Sequence, residues 1–200
     1  MPRKPEFDRE HALHNAMKLF WRRGYHASSM QHLLQVTGLS RSSFYAAFID
    51  KRSLYRECLA LFGRRTRDIL KQTINPDQPL AAIEGFFRRT LCDVPSERVA
   101  WGCMMVNTVL ELADTDPELQ LHALDLLARM EADFEALFDA ADTLGQLQSG
   151  YTPAQGAAHI MILNQGLRVQ SRQKPPKEEL AAAIVTGLSL AGIPVGAVAA

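Results

Sequence analysis

The apolar residues of this 200-residue chain recur at helical rather than strand intervals almost throughout. From Asp8, a side chain suited to capping, Ala12, Leu13, Ala16, Met17, Leu19 and Phe20 form one stripe that ends at Gly24. A shorter stripe follows Ser28 and Ser29, either of which can cap, and runs through Met30, Leu33, Leu34 and Val36 to Gly38. Ser40 caps a third, in which Phe44, Ala47 and Phe48 face inward while Arg41, Ser42, Ser43 and Tyr45 face out. Asp50 caps a fourth, carrying Leu54, Leu61, Phe62 and Leu70 as far as Asn75-Pro76. Breaks at Pro79, Pro95, Pro117, Gly145 with Gly150, Pro153, Pro175-Pro176 and Pro194 divide the remainder into helices near 79–92, 96–113, 117–143, 153–171 and 177–192. No alternating pattern competes, so the expected fold is all-α with about nine helices.

The second and third helices are short and joined by a turn containing Gly38. That is the pattern of a helix-turn-helix, whose second helix enters the major groove of DNA; the spacing alone also fits an ordinary helical hairpin. Charge bears on whether nucleic acid is a partner. The chain is neutral overall, but residues 1–60 hold ten Lys/Arg against five Asp/Glu, a net +5, and the remaining twelve against seventeen give −5. A basic N-terminal module on an acidic body is what is expected when only one end approaches phosphates. Arg3 and Lys4 are either a short basic arm or a solvated terminus.

Ala16, Leu19, Phe20, Gly24, Tyr25, Ser28, Gly38, Leu39, Ser40, Phe44, Tyr45, Phe48, Lys51 and Leu54 stand, in order and without gaps, where the tetracycline-repressor (TetR) family has A, L, F, G, Y/F, T, G, V, S, L, Y, F, K and L. Over roughly residues 8–58 the chain resembles that family of transcription regulators. It departs at Ala47, where the family usually has a phosphate-contacting histidine, at Leu34, where an alanine is usual, and at Ser42, where a glycine is frequent. The expected plan is a three-helix DNA-binding domain over 1–50 and a helical ligand-binding and dimerisation domain over 51–200, with 51–75 as connecting helix. The resemblance implies no catalytic activity and no cofactor. It also implies that Tyr45 and Lys51 grip the DNA backbone. Arg41 is the expected base reader, because its guanidinium can hold guanine O6 and N7 together. Gln31, Ser42 and Ser43 are secondary candidates, and Ser29, at a helix N-terminus, suits a phosphate.

The last two helices interleave small and apolar residues, which lets backbones approach closely. Family members dimerise through these helices, so the resemblance puts an interface at Ile160, Leu163, Leu167, Ile184 and Leu188; packing within one chain is the alternative. A two-fold dimer would meet a near-palindromic double-stranded operator at grooves about 34–36 Å apart. The expected function is a homodimeric repressor released by a small-molecule or electrophile effector. The alternative is an activator or an effector-independent DNA-binding protein of the same fold.

The effector would bind around Trp101, Cys103, Met104, Met105, Asn107 and Thr108, a Met- and Trp-rich stretch with a few polar groups that equally fits a helical core. The Gly-Cys pair here also resembles a branch of the family that senses electrophiles or oxidants, which would make Cys103 a redox sensor; a buried inert thiol is the other state. Cys58, Cys92 and Cys103 are irregularly spaced, with no disulfide framework or metal motif, and His11 with His14 lacks a third ligand, so no metal is expected. A Cys103 nucleophile has no recognisable base beside it, which argues against an enzyme. With no secretory segment and no apolar run of about eighteen residues, the chain is expected in the cytoplasm, without a membrane partner.

Overall fold

The structure, a computed structural model, describes residues 8–147 and 150–196; the Arg3-Lys4 arm lies outside them. Every regular element among the described residues is helical: α1 (Arg9–Arg23), α2 (Met30–Thr37), α3 (Arg41–Phe48), α4 (Lys51–Lys71), α5 (Ala81–Phe87), α6 (Ser96–Val99), α7 (Met104–Leu112), α8 (Pro117–Thr143), α9 (Pro153–Ser171) and α10 (Lys177–Leu190). Apart from the single turn α6, that is the expected nine. None is long and apolar enough to cross a membrane.

Local chemistry sets most of the boundaries. Asp8 caps α1, accepting the His11 N–H at 3.0 Å, and Asp50 caps α4, accepting that of Ser53 at 2.6 Å. Of the two serines before α2, Ser29 is the cap; Ser28 is buried and donates its hydroxyl to the Gly24 carbonyl at 2.7 Å. Gly38 ends α2 in the left-handed conformation, φ 69°. Thr152 and Gln155 form a reciprocal cap at α9, with Pro153 in its first turn.

The helix expected over 96–113 is broken. Gly102 has φ 71°, and a Cβ there would lie 3.1 Å from the Arg168 carbonyl, so a close approach to α9 interrupts the helix between α6 and α7. After Phe87, residues Arg88–Cys92 widen into a π turn. Within it Thr90 serves Arg168 twice, its carbonyl accepting from Nη1 at 3.1 Å and its hydroxyl from Nη2 at 2.6 Å. Arg168 is buried, its Nε donates to Asn164 at 3.2 Å, and no carboxylate among the described residues pairs with it.

Contacts divide the described residues into two compact units: one gathers those up to Arg64 together with Met104–Leu126, the other Arg65–Cys103 with those from Leu127 onward. The first unit buries Phe20, Leu33, Phe44, Phe48, Leu54, Tyr55 and Leu59 with Met104, Met105 and Thr108. The second is centred on Phe86, Phe87, Phe134, Phe138, Ile160, Leu167, Ile184 and Leu188.

Candidate nucleic-acid interface

The reading head is held from behind by α1. Arg9 donates to both Glu57 oxygens at 2.9 and 2.8 Å while its guanidinium lies 4.8 Å from the centre of the Phe48 ring, fixing the end of α3 against α4. With Phe44 and Phe48 turned inward, α3 presents Arg41, Ser42 and Tyr45 to solvent, and Ser43 is half-buried. Arg41 makes no hydrogen bond or ion pair among the described residues, so its five donors stay available. The Ser40 hydroxyl accepts the Ser43 N–H at 3.1 Å and lies 3.0 and 2.9 Å from the Ser42 and Ser43 hydroxyls. Those two side chains are thereby tied to the helix N-terminus.

Gln31 is exposed on α2, as a contact requires. The Ser29 hydroxyl is already committed: it accepts the His32 N–H at 3.2 Å while the His32 ring accepts the Ser29 N–H at 3.3 Å. His32 thus closes a reciprocal cap and is held by Arg23 at 3.0 Å. The sequence reading had no signal for this, since Glu or Gln ordinarily fills that place.

Between α3 and α4 the chain makes a tight γ-turn centred on Ile49, with φ 62° and the Asp50 N–H donating to the Phe48 carbonyl at 2.6 Å. A β-branched side chain is strained there. The turn brings Lys51 to the start of α4, beside the end of α3. Its Nζ lies 4.3 Å from the centre of the Tyr25 ring, and burial pulls its pKa below the usual lysine value, opposed by the charge of Glu111. The next residue, Arg52, is anchored to Asp116 at 2.7 and 2.9 Å and to Glu118 at 2.7 Å.

The six residues expected around an effector fall in both units. Trp101 and Cys103 belong to the second, where Cys103 is buried. Met104, Met105 and Thr108 are buried in the first, with Asn107 half-buried. Thr108 donates to the Met104 carbonyl at 2.7 Å and so accepts from the buried Tyr55 hydroxyl, also at 2.7 Å. It is a buried hydrogen-bond junction between α4 and α7. In the second unit a groove of about 220 Å³ is lined by Tyr151, Gln155, Gly156, His159, Leu190 and Ala191, away from the expected set.

The residues expected at a dimer face lie on α9 and α10. Ile160, Leu167, Ile184 and Leu188 are buried within the chain, and Leu163 is half-buried, filling the space where a Gly187 Cβ would lie 2.7 Å from its methyl. Gly156 likewise receives the Phe138 ring. The small residues therefore serve close packing inside the unit, and the side chains turned outward are Ile162, at 71% exposure, Val169 and Leu190.

A short exposed helix backed by aromatic residues, an arginine with open donors at its start and a lysine at the next helix define a helix-turn-helix DNA-binding regulator. Residues 12–58 match the bacterial regulatory proteins of the tetR family, and residues 79–186 match the tetracyclin repressor-like C-terminal domain. The chain belongs to the TetR family of transcriptional regulators, which are not enzymes. It is 25% identical over 176 residues to the HTH-type transcriptional repressor ComR of Escherichia coli K12, covering 87% of this chain and 84% of that protein. The TetR-family regulator CifR, solved as a cysteine mutant complexed with 26-bp double-strand operator DNA, is 27% identical, with a TM-score of 0.80 over 94% of this chain and 98% of that one. A TetR-family regulator from Cytophaga hutchinsonii shares the fold at a TM-score of 0.82 and 17% identity, covering 94% and 95% of the two chains.

Proposed function

We propose that the protein is a cytoplasmic homodimeric repressor that binds a near-palindromic double-stranded operator and is released by a small-molecule effector. The observation that carries this reading is the outward face of α3, where Arg41 stands with open donors one turn ahead of Tyr45 and close in sequence to Lys51. The operator complex of CifR supports the DNA partner, and the repressor ComR supports the sign of regulation. For the dimer, the outward row Ile162, Gly166 and Val169 of α9 replaces the buried residues first considered, since its spacing of four and three residues lines one helix face.

In this assignment Arg41 reads bases while Tyr45 and Lys51 hold phosphates. In gel shifts on a duplex selected from a randomised pool, Arg41→Ala is expected to shrink the preference for the selected site over mismatched sites by about 1–3 kcal/mol. Lys51→Ala is expected to weaken all sequences alike and to reduce the salt slope by about one. The opposite pattern would refute the division.

Cys103 is the proposed point of release by electrophiles, a reading favoured by Arg168. Burial lowers the pKa of that guanidinium and negative charge on the Cys103 sulfur opposes the shift, so the two groups feel one another. Treatment with iodoacetamide or a quinone is expected to weaken the gel shift of the wild type and to leave Cys103→Ser unaffected. Equal responses from the two proteins would remove Cys103 as the sensor.

A further inference from the structure

Glu111, the next-to-last residue of α7, is spent entirely on the turn that leads into the helix-turn-helix. Its Oε2 accepts the Tyr25 N–H at 2.9 Å and its Oε1 accepts the His26 N–H at 2.8 Å. Both carboxylate oxygens are thus engaged by consecutive amides, a charge-assisted pair stronger than neutral hydrogen bonds. The approach requires Gly24: a Cβ there would lie 2.5 Å from Glu111 Oε2.

The held residue, Tyr25, is the platform of Lys51. Its ring meets that of Tyr55 edge-on at 4.9 Å and carries the Lys51 ammonium 4.3 Å from its centre. That ammonium makes no hydrogen bond or ion pair among the described residues. Its placement therefore depends on the ring beneath it as well as on the charge of Glu111, and the ring's placement depends on the main chain that Glu111 grips.

We infer that Glu111 is a positioning residue for DNA binding, setting Tyr25 so that Lys51 is aimed at a phosphate. The inference rests on Lys51 being a phosphate contact. It gives α7 a direct line to the DNA-facing surface, and α7 begins at Met104, the residue after Cys103. A shift of α7 by a fraction of a hydrogen-bond length is felt at Lys51 without any change in α3.

The test is a double-mutant cycle of Glu111→Ala and Lys51→Ala, read as affinity and salt slope on the selected duplex. Glu111→Ala is expected to weaken binding about ten-fold, a typical coupling magnitude, and to lower the salt slope as Lys51→Ala does. In the Lys51→Ala background it is expected to have almost no further effect. A merely structural role would weaken binding additively and leave the slope intact; either result overturns the inference. Circular dichroism establishes that the variants are folded, and if Glu111→Ala is not, Glu111→Gln, which keeps one acceptor, is carried through the same cycle under the same criteria. An unchanged slope in Lys51→Ala overturns the phosphate reading and the inference with it. A lowered slope there with an unchanged one in the Glu111 variant overturns the inference alone.

Discussion

Replacing Phe44 with alanine is expected to cost about 3–5 kcal/mol of stability, the range for emptying a fully buried aromatic site. Phe44 has no solvent exposure and its ring lies 5.7 Å from that of Phe48, its neighbour one turn on. The α3 helix has eight residues, too few to be stable alone in water, so its existence depends on this inward face rather than on propensity. Against the roughly 5–15 kcal/mol that holds a typical domain together, the loss is a large share. Denaturant unfolding should show a lower midpoint, and the gel shift should vanish at temperatures where the wild type still binds, although Phe44 itself touches no DNA. A cost below about 1 kcal/mol would mean that the neighbouring side chains collapse into the space, at the low end of what such truncations show.

Those features of the fold that are written locally were legible in the sequence. Asp8, Ser40, Asp50 and Pro153 mark helix starts, and Gly38 a helix end, because each acts on amides or carbonyls within a few residues of itself. The exposed face of α3 followed from the inward spacing of Phe44 and Phe48. What escaped notice depends on partners distant in the chain. Gly102 looked like one small residue inside a helical run, and only the nearness of α9 explains the break there. Arg168 carries no local sign of burial, which reflects the carbonyl and hydroxyl that Thr90 supplies from the π turn. The last two helices are apolar or small on most of their circumference, so periodicity could not say which stripe faces inward.

Glu111 is the clearest case of a role without a local signal, and Gly24 is its counterpart. Gly24→Ala is expected to destabilise the protein by about 2–6 kcal/mol, from two sources. The residue has φ 84° and ψ 178°, a region that side-chain-bearing residues occupy only at about 1–3 kcal/mol. The added methyl also displaces the Glu111 carboxylate, and the half-buried Tyr25 N–H then loses its acceptor, for about 1–3 kcal/mol more. The two sources separate in the Glu111→Ala background, where the carboxylate is already gone and Gly24→Ala should retain only the backbone part of its cost. Thermal unfolding of the four proteins of that cycle measures the difference. Equal costs in the two backgrounds would place the whole penalty in the backbone conformation, and the absence of a side chain at Gly24 would then have nothing to do with admitting Glu111.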